Sequence, residues 1–327
     1  MRKDALTMSS VDILLAAYNG EKYIAEQIDS ILAQTFQDFR LIIRDDGSSD
    51  NTPAIIADYA RRYPAKIEVV HDDVMCRSAT RNFFQLLTYA KADYVMFSDQ
   101  DDVWLPEKIQ VTYERMRQTE ADNPGKPVLV FTGLEVVDAK LGSLNRFMAM
   151  DIAPVRYDFR NVVYLNIATG CTQMLNRALY ANMGGYVDGI RLHDWWTTLY
   201  ASAFGVVEHV PQVTMLYRQH GNNVIGTSTR KFSGKGGYID KFLKIVSHPK
   251  QQRRGLYAKF RELQLFRTRY MNTLPAQRLQ QIDECLELLG SNRLKRVRAL
   301  IRMRGFWDFT DLLALSRIKL IIYHLIF

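Results

Sequence analysis

The first half of the chain alternates short apolar segments with segments of helical periodicity, and this alternation restricts the fold more than any other feature. Four apolar runs, VDILLAA, FRLIIRD, KIEVVHD and YVMFSD, are each followed by a stretch whose apolar residues recur at helical spacing. Val, Ile and Leu are almost continuous in these runs, which is typical of strands buried on both faces. The pattern therefore predicts an α/β domain with a mostly parallel, Rossmann-like sheet covered by helices.

Two further strands and two helices are predicted in the middle of the chain. Residues 128–137 form an apolar run, residues 206–217 end in VTMLY, and the segments NRALYANMG and DWWTTLYASAFG between them have helical character. Beyond SGKGG at 233–237, which has the composition of a linker, the pattern is helical throughout. We expect an α/β domain over residues 1–232 and a helical module over residues 238–327.

The positive charge of the chain is concentrated in this C-terminal module. The formal net charge is +8, and residues 250–327 contain 16 Lys and Arg but 6 Asp and Glu, a net of +10. A near-neutral body argues against a protein built around nucleic acid, whereas a basic module suits an anionic surface. Residues 312–327 are apolar but too few to span a bilayer. They are expected to lie on an anionic membrane or to pack on the protein itself.

The cysteines and the N-terminus indicate where the protein works. Cys76, Cys171 and Cys285 form no CxxC pair, and the N-terminal MRKDALTMSSVD has no apolar run of the kind that a secretory signal contains. Sparse, unpaired cysteines fit a reducing compartment. We therefore expect a cytoplasmic protein, placed by its basic module on the inner face of the plasma membrane.

Acidic residues follow all four of the early strands, in the segments AYNGE, RDDGSSD, HDD and SDQDD. Ligands of open α/β sheets bind beyond the carboxyl ends of the strands, and an anion site there would collect glycines and cations instead. Asp99 and Asp101 are two apart in an extended segment, so both point to one side and offer the hard oxygen ligands that Mg²⁺ or Mn²⁺ prefers. A solvated acidic turn or a helix cap is the alternative for this segment taken alone.

The order of these motifs resembles that of family 2 glycosyltransferases of the GT-A fold. The first strand ends in YN, a DDGSSD turn follows the second, a D-x-D follows a later strand, and HDWW holds an Asp in the second half. The resemblance covers about residues 1–225, and SDQDDVWLPEKI with HDWW and YRQHGNN is most similar to the rhamnosyltransferase branch. It implies inverting transfer of a sugar from a nucleoside diphosphate donor, with a divalent metal as cofactor.

The resemblance also implies which residues bind the nucleoside. Ala16, Tyr18 and Glu21 would contact the base and ribose, and Asp46 would hydrogen-bond the pyrimidine ring. Packing is the alternative for Tyr18, and capping of the following helix is the alternative for Asp46. Asp45 is expected to be a turn residue.

Four residues are implied around the diphosphate. Asp99 would contact the ribose or the metal, Asp101 would ligate the metal, and His220 would add a third metal or diphosphate contact. Arg81 is expected to contact the donor phosphates, because its fork of donors suits phosphate oxygens. A solvated helical face is the alternative for Arg81.

The resemblance also implies Asp194 as the general base, because the family places its acceptor-activating carboxylate there and an inverting transfer needs a carboxylate to accept the proton of the acceptor hydroxyl. Capping of its own helix is the alternative role. Gly170, Trp195 and Trp196 are candidate acceptor residues, although a tryptophan pair at a helix start is more often part of the core. Cys171 is expected to be a small buried residue.

Transfer of L-rhamnose from dTDP-rhamnose to a hydroxyl of a growing glycan, free or lipid-linked, is the function expected first. Polysaccharide or O-antigen biosynthesis is the implied setting, and a UDP-hexose or UDP-N-acetylhexosamine transferase is the alternative within the same fold. A non-catalytic nucleotide- or nucleic-acid-binding protein would explain the basic module but not the acidic loops, so no nucleic-acid partner is expected. A dehydrogenase is disfavoured because no GxGxxG follows the first strand.

Overall fold

The computed structural model describes residues 10–150, 157–163, 166–220 and 249–287. These residues fall into two compact units. The first unit holds the described residues up to Asp158 and those from Asn166 to His220, and the second holds the remainder. The predicted linker at 233–237 and the apolar segment 312–327 lie outside the described residues.

One nine-stranded sheet forms the centre of the first unit. The strands are β1 (Val11–Ala17), β2 (Phe39–Asp45), β3 (Ile67–Val69), β4 (Tyr94–Asp99), β5 (Val103–Trp104), β6 (Val128–Val137), β7 (Ser143–Met148), β8 (Gln173–Asn176) and β9 (Val206–Arg218). Their spatial order is β3-β2-β1-β4-β8-β6-β9-β5, and β7 pairs with β6 at the side. Strands β1, β2, β3 and β4 are parallel to one another, as predicted.

Helices follow the strands in the way that the apolar spacing predicts. Those of the first unit pack on the sheet and bury the apolar faces of β1 and β6, so the α/β fold is confirmed. The described helices are α1 (Ile24–Leu32), α2 (Thr52–Arg62), α3 (Ala79–Leu87), α4 (Lys108–Asp122), α5 (Phe159–Val162), α6 (Arg177–Tyr180), α7 (His193–Phe204), α8 (Pro249–Tyr270) and α9 (Ala276–Leu286).

The structure differs from the predicted strands in the second half of the sheet. Strand β8 is antiparallel to both β4 and β6, and the two-residue β5 pairs antiparallel with β9. The sequence did not indicate these strands, because β8 is only four residues long and begins and ends with polar residues. Strand β3 is also shorter than predicted, because its pairing with β2 covers only Leu41 to Ile43 and ends at Val69.

The second unit contains α5, α8 and α9 among its described residues. Apolar residues of α8 and α9, Phe266 and Ile282 among them, are fully buried, and Arg267 of α8 forms an ion pair with Asp283 of α9. These helices agree with the helical pattern that the sequence shows beyond residue 238. In the part of the chain that the structure describes, no helix is both long and apolar enough to cross a membrane.

Candidate active site

Three parallel strands end at the same edge of the sheet and bring their acidic loops together. The register pairs Ala16 of β1 with Asp99 of β4, and Ala17 of β1 with Asp45 of β2. The Asp46 N–H donates to the Ala17 carbonyl at 2.9 Å. The loops after β1, β2 and β4 therefore form one rim, where an open α/β sheet binds its ligands.

The turn after β4 concentrates carboxyl groups in a desolvated place. Ligand atoms of Asp99, Asp102 and Cys171 all lie within 4.8 Å of one another. Burial raises the pKa of Asp99 to about 7, with further contributions from the negative charges of Asp101 and Asp194. Burial also raises the pKa of Asp102 well above its usual range. This accumulation of like charge favours the binding of a cation.

Asp102 is the last residue of the turn and is fully buried. Its Oδ1 accepts a hydrogen bond from the Arg218 N–H at 3.1 Å, whereas its Oδ2 has no hydrogen-bond partner among the described residues. A buried carboxyl oxygen without a donor is costly, and a bound cation is one way to satisfy it. Burial raises the pKa of the Cys171 thiol, so this cysteine stays neutral and is a weak ligand.

A lysine that the sequence analysis did not identify lies close to the same turn. Lys108 at the start of α4 is fully buried; its Nζ lies 3.3 Å from Thr214 Oγ1 and 4.9 Å from the centre of the Trp104 ring. Burial lowers the pKa of Lys108 to about 8, and the nearby Cys171 and Asp102 oppose that shift. A lysine in an amphipathic helix is usually at the surface, so no pattern in the sequence indicated that Lys108 is buried.

Residues at the end of β9 hold Asp101. His220 Nε2 lies 2.7 Å from Asp101 Oδ2, and the imidazole stacks on Tyr23 with ring centroids 4.8 Å apart. The buried Arg218 donates from Nε to the Asp101 carbonyl at 2.8 Å and lies over the Tyr23 ring at 4.6 Å. The structure thus brings His220 and Asp101 together, and it adds Arg218 as a residue that fixes the turn.

The donor atoms at this turn fit a hard divalent cation such as Mg²⁺ or Mn²⁺. Carboxyl oxygens of Asp99 and Asp102 lie within 4.8 Å of each other and of the Cys171 sulfur, whereas Asp101 Oδ2 lies 2.7 Å from His220 Nε2. Of the three ligands predicted from the sequence, Asp99 belongs to this group, whereas Asp101 and His220 contact each other and stay predicted ligands. The buried Asp102 was not predicted as a ligand.

The loop after β1 exposes an aromatic ring on a fixed backbone. The Tyr18 side chain is 57% exposed, and its N–H and carbonyl are both hydrogen-bonded to Gln100. Glu21 Oε2 accepts from the Asn51 N–H at 3.0 Å, so this carboxylate serves the start of α2. The exposed ring of Tyr18 is open to a stacking partner, whereas Glu21 has a structural partner.

Asp46 is held in the interior instead of capping a helix. Its Oδ1 accepts from the Cys76 N–H at 2.7 Å and from Arg44 Nη1 at 3.2 Å, and the residue is only 4% exposed. The N–H of Thr52, where α2 begins, donates to Asp50 instead. These contacts place Asp46 between the loops after β2 and β3.

Asp45 is a turn residue, as predicted. Its Oδ2 accepts from the Gly47 N–H at 3.1 Å and from the Ser48 N–H at 2.9 Å. Gly47 adopts a φ of +82°, a left-handed conformation that glycine tolerates without strain.

Asp194 lies in the first turn of α7 with both carboxyl oxygens on backbone donors. Oδ1 accepts from the Trp195 N–H at 2.7 Å, and Oδ2 accepts from the Gly170 N–H at 3.2 Å. Burial raises the pKa of Asp194 to about 6, although these hydrogen bonds oppose the shift. Leu192 is the residue that precedes α7, so Asp194 is not its N-cap.

His193 explains why residue 170 is a glycine. A Cβ on Gly170 would lie 2.4 Å from His193 Nε2 and 3.3 Å from the Asp194 Cβ. The imidazole packs on Phe83 and Phe97, with centroids 4.1 Å and 4.9 Å away, and burial lowers its pKa to about 3. His193 is therefore neutral, and Gly170 leaves room for it beside Asp194.

The proposed contact of Trp195 and Trp196 with a sugar ring is corrected by the structure. Trp195 is 1% exposed and Trp196 is fully buried, so neither indole presents a face to a ligand. Both belong to the core, which is the alternative that the sequence analysis preferred, because α7 is buried along almost its whole length. Cys171 is also buried, as predicted.

Arg81 of α3 makes surface contacts in this structure. Its guanidinium forms an ion pair with Asp188 and lies 5.0 Å from the centre of the Tyr186 ring. The side chain of Arg81 is 44% exposed and that of Asp188 is 84% exposed. A phosphate contact by Arg81 requires exchange of this exposed ion pair, and the assignment stays a prediction.

Solved glycosyltransferases share the fold. The crystal structure of S. aureus TarS 1–349 in complex with UDP-GlcNAc aligns over 96% of this chain and 89% of its own, with a TM-score of 0.54 and 15% identity. The mannosyltransferase PcManGT from Pyrobaculum calidifontis, in complex with GDP-Man and Mn²⁺, aligns over 97% and 86% with a TM-score of 0.50 and 15% identity. The GT-A fold is thereby confirmed.

Sequence comparison leads to the same group of enzymes. The dTDP-rhamnosyl transferase RfbG of Shigella flexneri is 28% identical over 227 residues, which are 65% of this chain and 74% of that protein. This relative confirms the resemblance to the rhamnosyltransferase branch. The model of Glycosyl transferase family 2 matches residues 12–178, more than half of the chain. The chain belongs to glycosyltransferase family 2.

Proposed function

We propose that this family 2 glycosyltransferase transfers L-rhamnose from dTDP-rhamnose to a hydroxyl of a growing glycan with inversion at the anomeric carbon. The observation that carries the proposal is the proximity of Asp194 to the turn after β4: Asp194 Oδ2 accepts from the Gly170 N–H at 3.2 Å, and the sulfur of the next residue, Cys171, lies within 4.8 Å of carboxyl oxygens of Asp99 and Asp102. A base for the acceptor and carboxylates for the donor thus lie in one site. The similarity to RfbG supports rhamnose as the sugar.

Asp194 is the group that removes the acceptor proton. Burial raises its pKa to about 6, so the carboxylate is ionised at neutral pH and is a stronger base than an exposed aspartate. The N–H groups of Gly170 and Trp195 fix the direction of the carboxylate. Attack by the deprotonated hydroxyl on the anomeric carbon, opposite the departing diphosphate, inverts the configuration.

The turn after β4 serves the donor. Asp99 and Asp101 would hold the metal together with the buried Asp102, and His220 would orient Asp101 through their 2.7 Å contact. A divalent cation bound by these residues would supply charge stabilisation for the departing diphosphate. The exposed ring of Tyr18 stacks on the nucleobase, and Ala16 lies beside Asp99 at the strand ends. A contact of the base with Asp46, which Arg44 and the Cys76 N–H hold in the interior, stays a prediction.

A UDP-hexose or UDP-N-acetylhexosamine is the second candidate donor. TarS, whose fold this chain shares, was crystallised with UDP-GlcNAc, and the related mannosyltransferase was crystallised with GDP-Man and Mn²⁺. The nucleotide and the sugar vary among proteins with this fold. The binding of nucleotide sugars to this chain therefore has to distinguish the two candidate donors.

The acceptor is proposed to be a lipid-linked glycan in polysaccharide or O-antigen assembly at the inner face of the plasma membrane. The net charge of +10 over residues 250–327 supports contact with an anionic surface. The apolar segment 312–327 would lie in that surface.

A panel of nucleotide sugars tests the proposed function. With Mn²⁺ present, the true donor raises the Tm of the full chain, because a ligand that binds only the native state stabilises it. We expect dTDP-rhamnose to give the largest shift, and dTDP to be released when a glycan acceptor is added. A larger shift with a UDP-sugar selects the second candidate, and no shift with any nucleotide sugar would overturn the donor site.

A further inference from the structure

The side chain of Gln100 pairs with the backbone of Tyr18. The Tyr18 N–H donates to Gln100 Oε1 at 2.8 Å, and Gln100 Nε2 donates to the Tyr18 carbonyl at 2.9 Å. One carboxamide thus satisfies both backbone groups of one residue, in the way that neighbouring strands exchange two hydrogen bonds. Because Gln100 lies between Asp99 and Asp101, this pair joins the turn after β4 to the loop after β1.

Gly20 leaves the space that the carboxamide occupies. A Cβ on Gly20 would lie 2.2 Å from Gln100 Oε1, and the three nearest atoms to that position all belong to Gln100. Gly20 does not have the left-handed φ that itself favours glycine. The contact with Gln100 is therefore the observed reason for a glycine at this position.

The same loop is held from its other side by the loop after β2. The Asn19 N–H donates to Ser48 Oγ at 2.8 Å, and Asn19 Oδ1 accepts from the Ser49 N–H at 2.8 Å. Asn19 has a φ of +49°, and these side-chain contacts stabilise that left-handed backbone. Tyr18 is thus fixed between two loops, and its ring is the part that stays exposed.

We propose that Gln100 is a positioning residue that couples cation binding at the turn 99–102 to nucleobase binding on the Tyr18 ring. A cation that orders the turn also orders the Gln100 carboxamide, which holds Tyr18 in the orientation that stacks on the base. Coupling between two binding events is reciprocal, so the base also favours cation binding. This inference rests on the proposed donor site, in which the carboxylates bind the cation and Tyr18 binds the base.

A diphosphate can bind a metal directly, so a nucleotide sugar cannot be used to measure coupling through the protein. A free nucleoside avoids this problem. Thymidine and uridine carry no phosphate, so any effect of Mg²⁺ on their affinity passes through the protein. Ligand-observed NMR titrations of the full chain, with and without saturating Mg²⁺, measure both affinities. We expect Mg²⁺ to tighten binding of the preferred nucleoside by about fivefold or more.

The variant Gln100→Met removes both hydrogen bonds and keeps a side chain of similar length. We expect it to weaken nucleoside binding in Mg²⁺ by about tenfold and to bring the affinity ratio with and without Mg²⁺ to about one. The matched control is Gln118→Met on the exposed face of α4, which should retain the coupling of the wild type. A merely structural role for Gln100 would lower the Tm and leave that ratio unchanged.

Gly20→Ala should also break the hydrogen bonds between Gln100 and Tyr18, because the added methyl group displaces the Gln100 carboxamide. It should reproduce the loss of coupling seen in Gln100→Met. In a Gln100→Ala background the space is empty, so adding Gly20→Ala should cause no further loss. Equal losses from Gly20→Ala in both backgrounds would overturn the proposed reason for the glycine.

The outcomes separate the two proposals. A wild-type chain that binds neither nucleoside, with or without Mg²⁺, overturns the proposed donor site and this inference with it. Nucleoside binding that is insensitive to Mg²⁺ in the wild type overturns the coupling alone. Coupling that persists in Gln100→Met likewise overturns the role of Gln100 and leaves the donor site intact.

Discussion

Asp194 and Gly170 are joined by a hydrogen bond of 3.2 Å from the Gly170 N–H to Asp194 Oδ2. The other carboxyl oxygen of Asp194 accepts from the Trp195 N–H, so the side chain is fixed by two separate segments of the chain. Each of these donors is a backbone group that cannot change its protonation state. The arrangement holds a carboxylate in one direction without a positive charge that would weaken it as a base.

The variant Asp194→Asn should abolish transfer while donor binding survives. The amide cannot accept a proton, and loss of a general base lowers the rate by about 10²- to 10⁴-fold. Release of free nucleotide in the presence of acceptor measures transfer, and the thermal shift with donor and Mn²⁺ measures binding.

Asp122→Asn is the matched control for that variant, because Asp122 is an exposed carboxylate at the end of α4. It should leave both measurements at the wild-type level. Transfer by Asp194→Asn at the wild-type rate would show that another group accepts the proton.

The strands that are best predicted from the sequence are those buried on both faces. The predicted runs 11–17, 39–45, 94–99 and 128–137 agree with β1, β2, β4 and β6, because continuous apolar residues leave no other place for them than the centre of the sheet. Strand β8 was not predicted, because its buried residue Gln173 is polar and is accommodated by hydrogen bonds to Ala168, Asp194 and Thr198. Such a polar network has no periodic signal.

The candidate site likewise contains residues that could be predicted from the sequence and residues that could not. Acidic residues at strand ends could be located from the chain alone, because parallel strands deliver their carboxyl ends to one edge. Gln100, Lys108 and Arg218 could not be located, since each acts on a residue that is distant in sequence or through burial that no local pattern records. The aspartate-rich turn suggested ligands, but the residues that position those ligands required coordinates.

Asp101→Ala should remove the metal-dependent part of donor turnover. The carboxylate is one of the cation ligands proposed for the turn, and loss of charge stabilisation at a leaving group lowers turnover by about a hundredfold or more. Donor hydrolysis and transfer are measured with Mn²⁺ and with EDTA. EDTA should reduce the wild type to the level of the variant, and turnover that continues in EDTA would remove the metal from the mechanism.

Deletion of residues 312–327 should weaken binding to anionic liposomes. The deleted segment contains apolar residues together with Arg317 and Lys319, and each basic residue near an anionic surface contributes about 1 kcal/mol. Cosedimentation with liposomes that contain anionic lipid measures the change, and neutral liposomes are the control. Equal binding by both chains would favour a helix that packs on the protein.

The ion pair of Asp72 with Arg44 should make stability depend on pH in a predictable direction. The Arg44 guanidinium holds the pKa of Asp72 well below its usual range, and their side chains are only 14% and 2% exposed. Because the folded pKa lies below the unfolded value of about 3.9, the pair stabilises the protein above that pH and loses its effect as the pH falls further. Asp72→Asn should therefore lower the free energy of unfolding by about 2 kcal/mol at pH 7.

Urea titrations at several pH values measure this difference in the free energy of unfolding, which should shrink below pH 4. The control is Asp58→Asn, whose ion pairs with Arg61 and Arg62 are exposed, and it should change the free energy of unfolding little. A deficit of Asp72→Asn that stays constant down to pH 3 would contradict the lowered pKa.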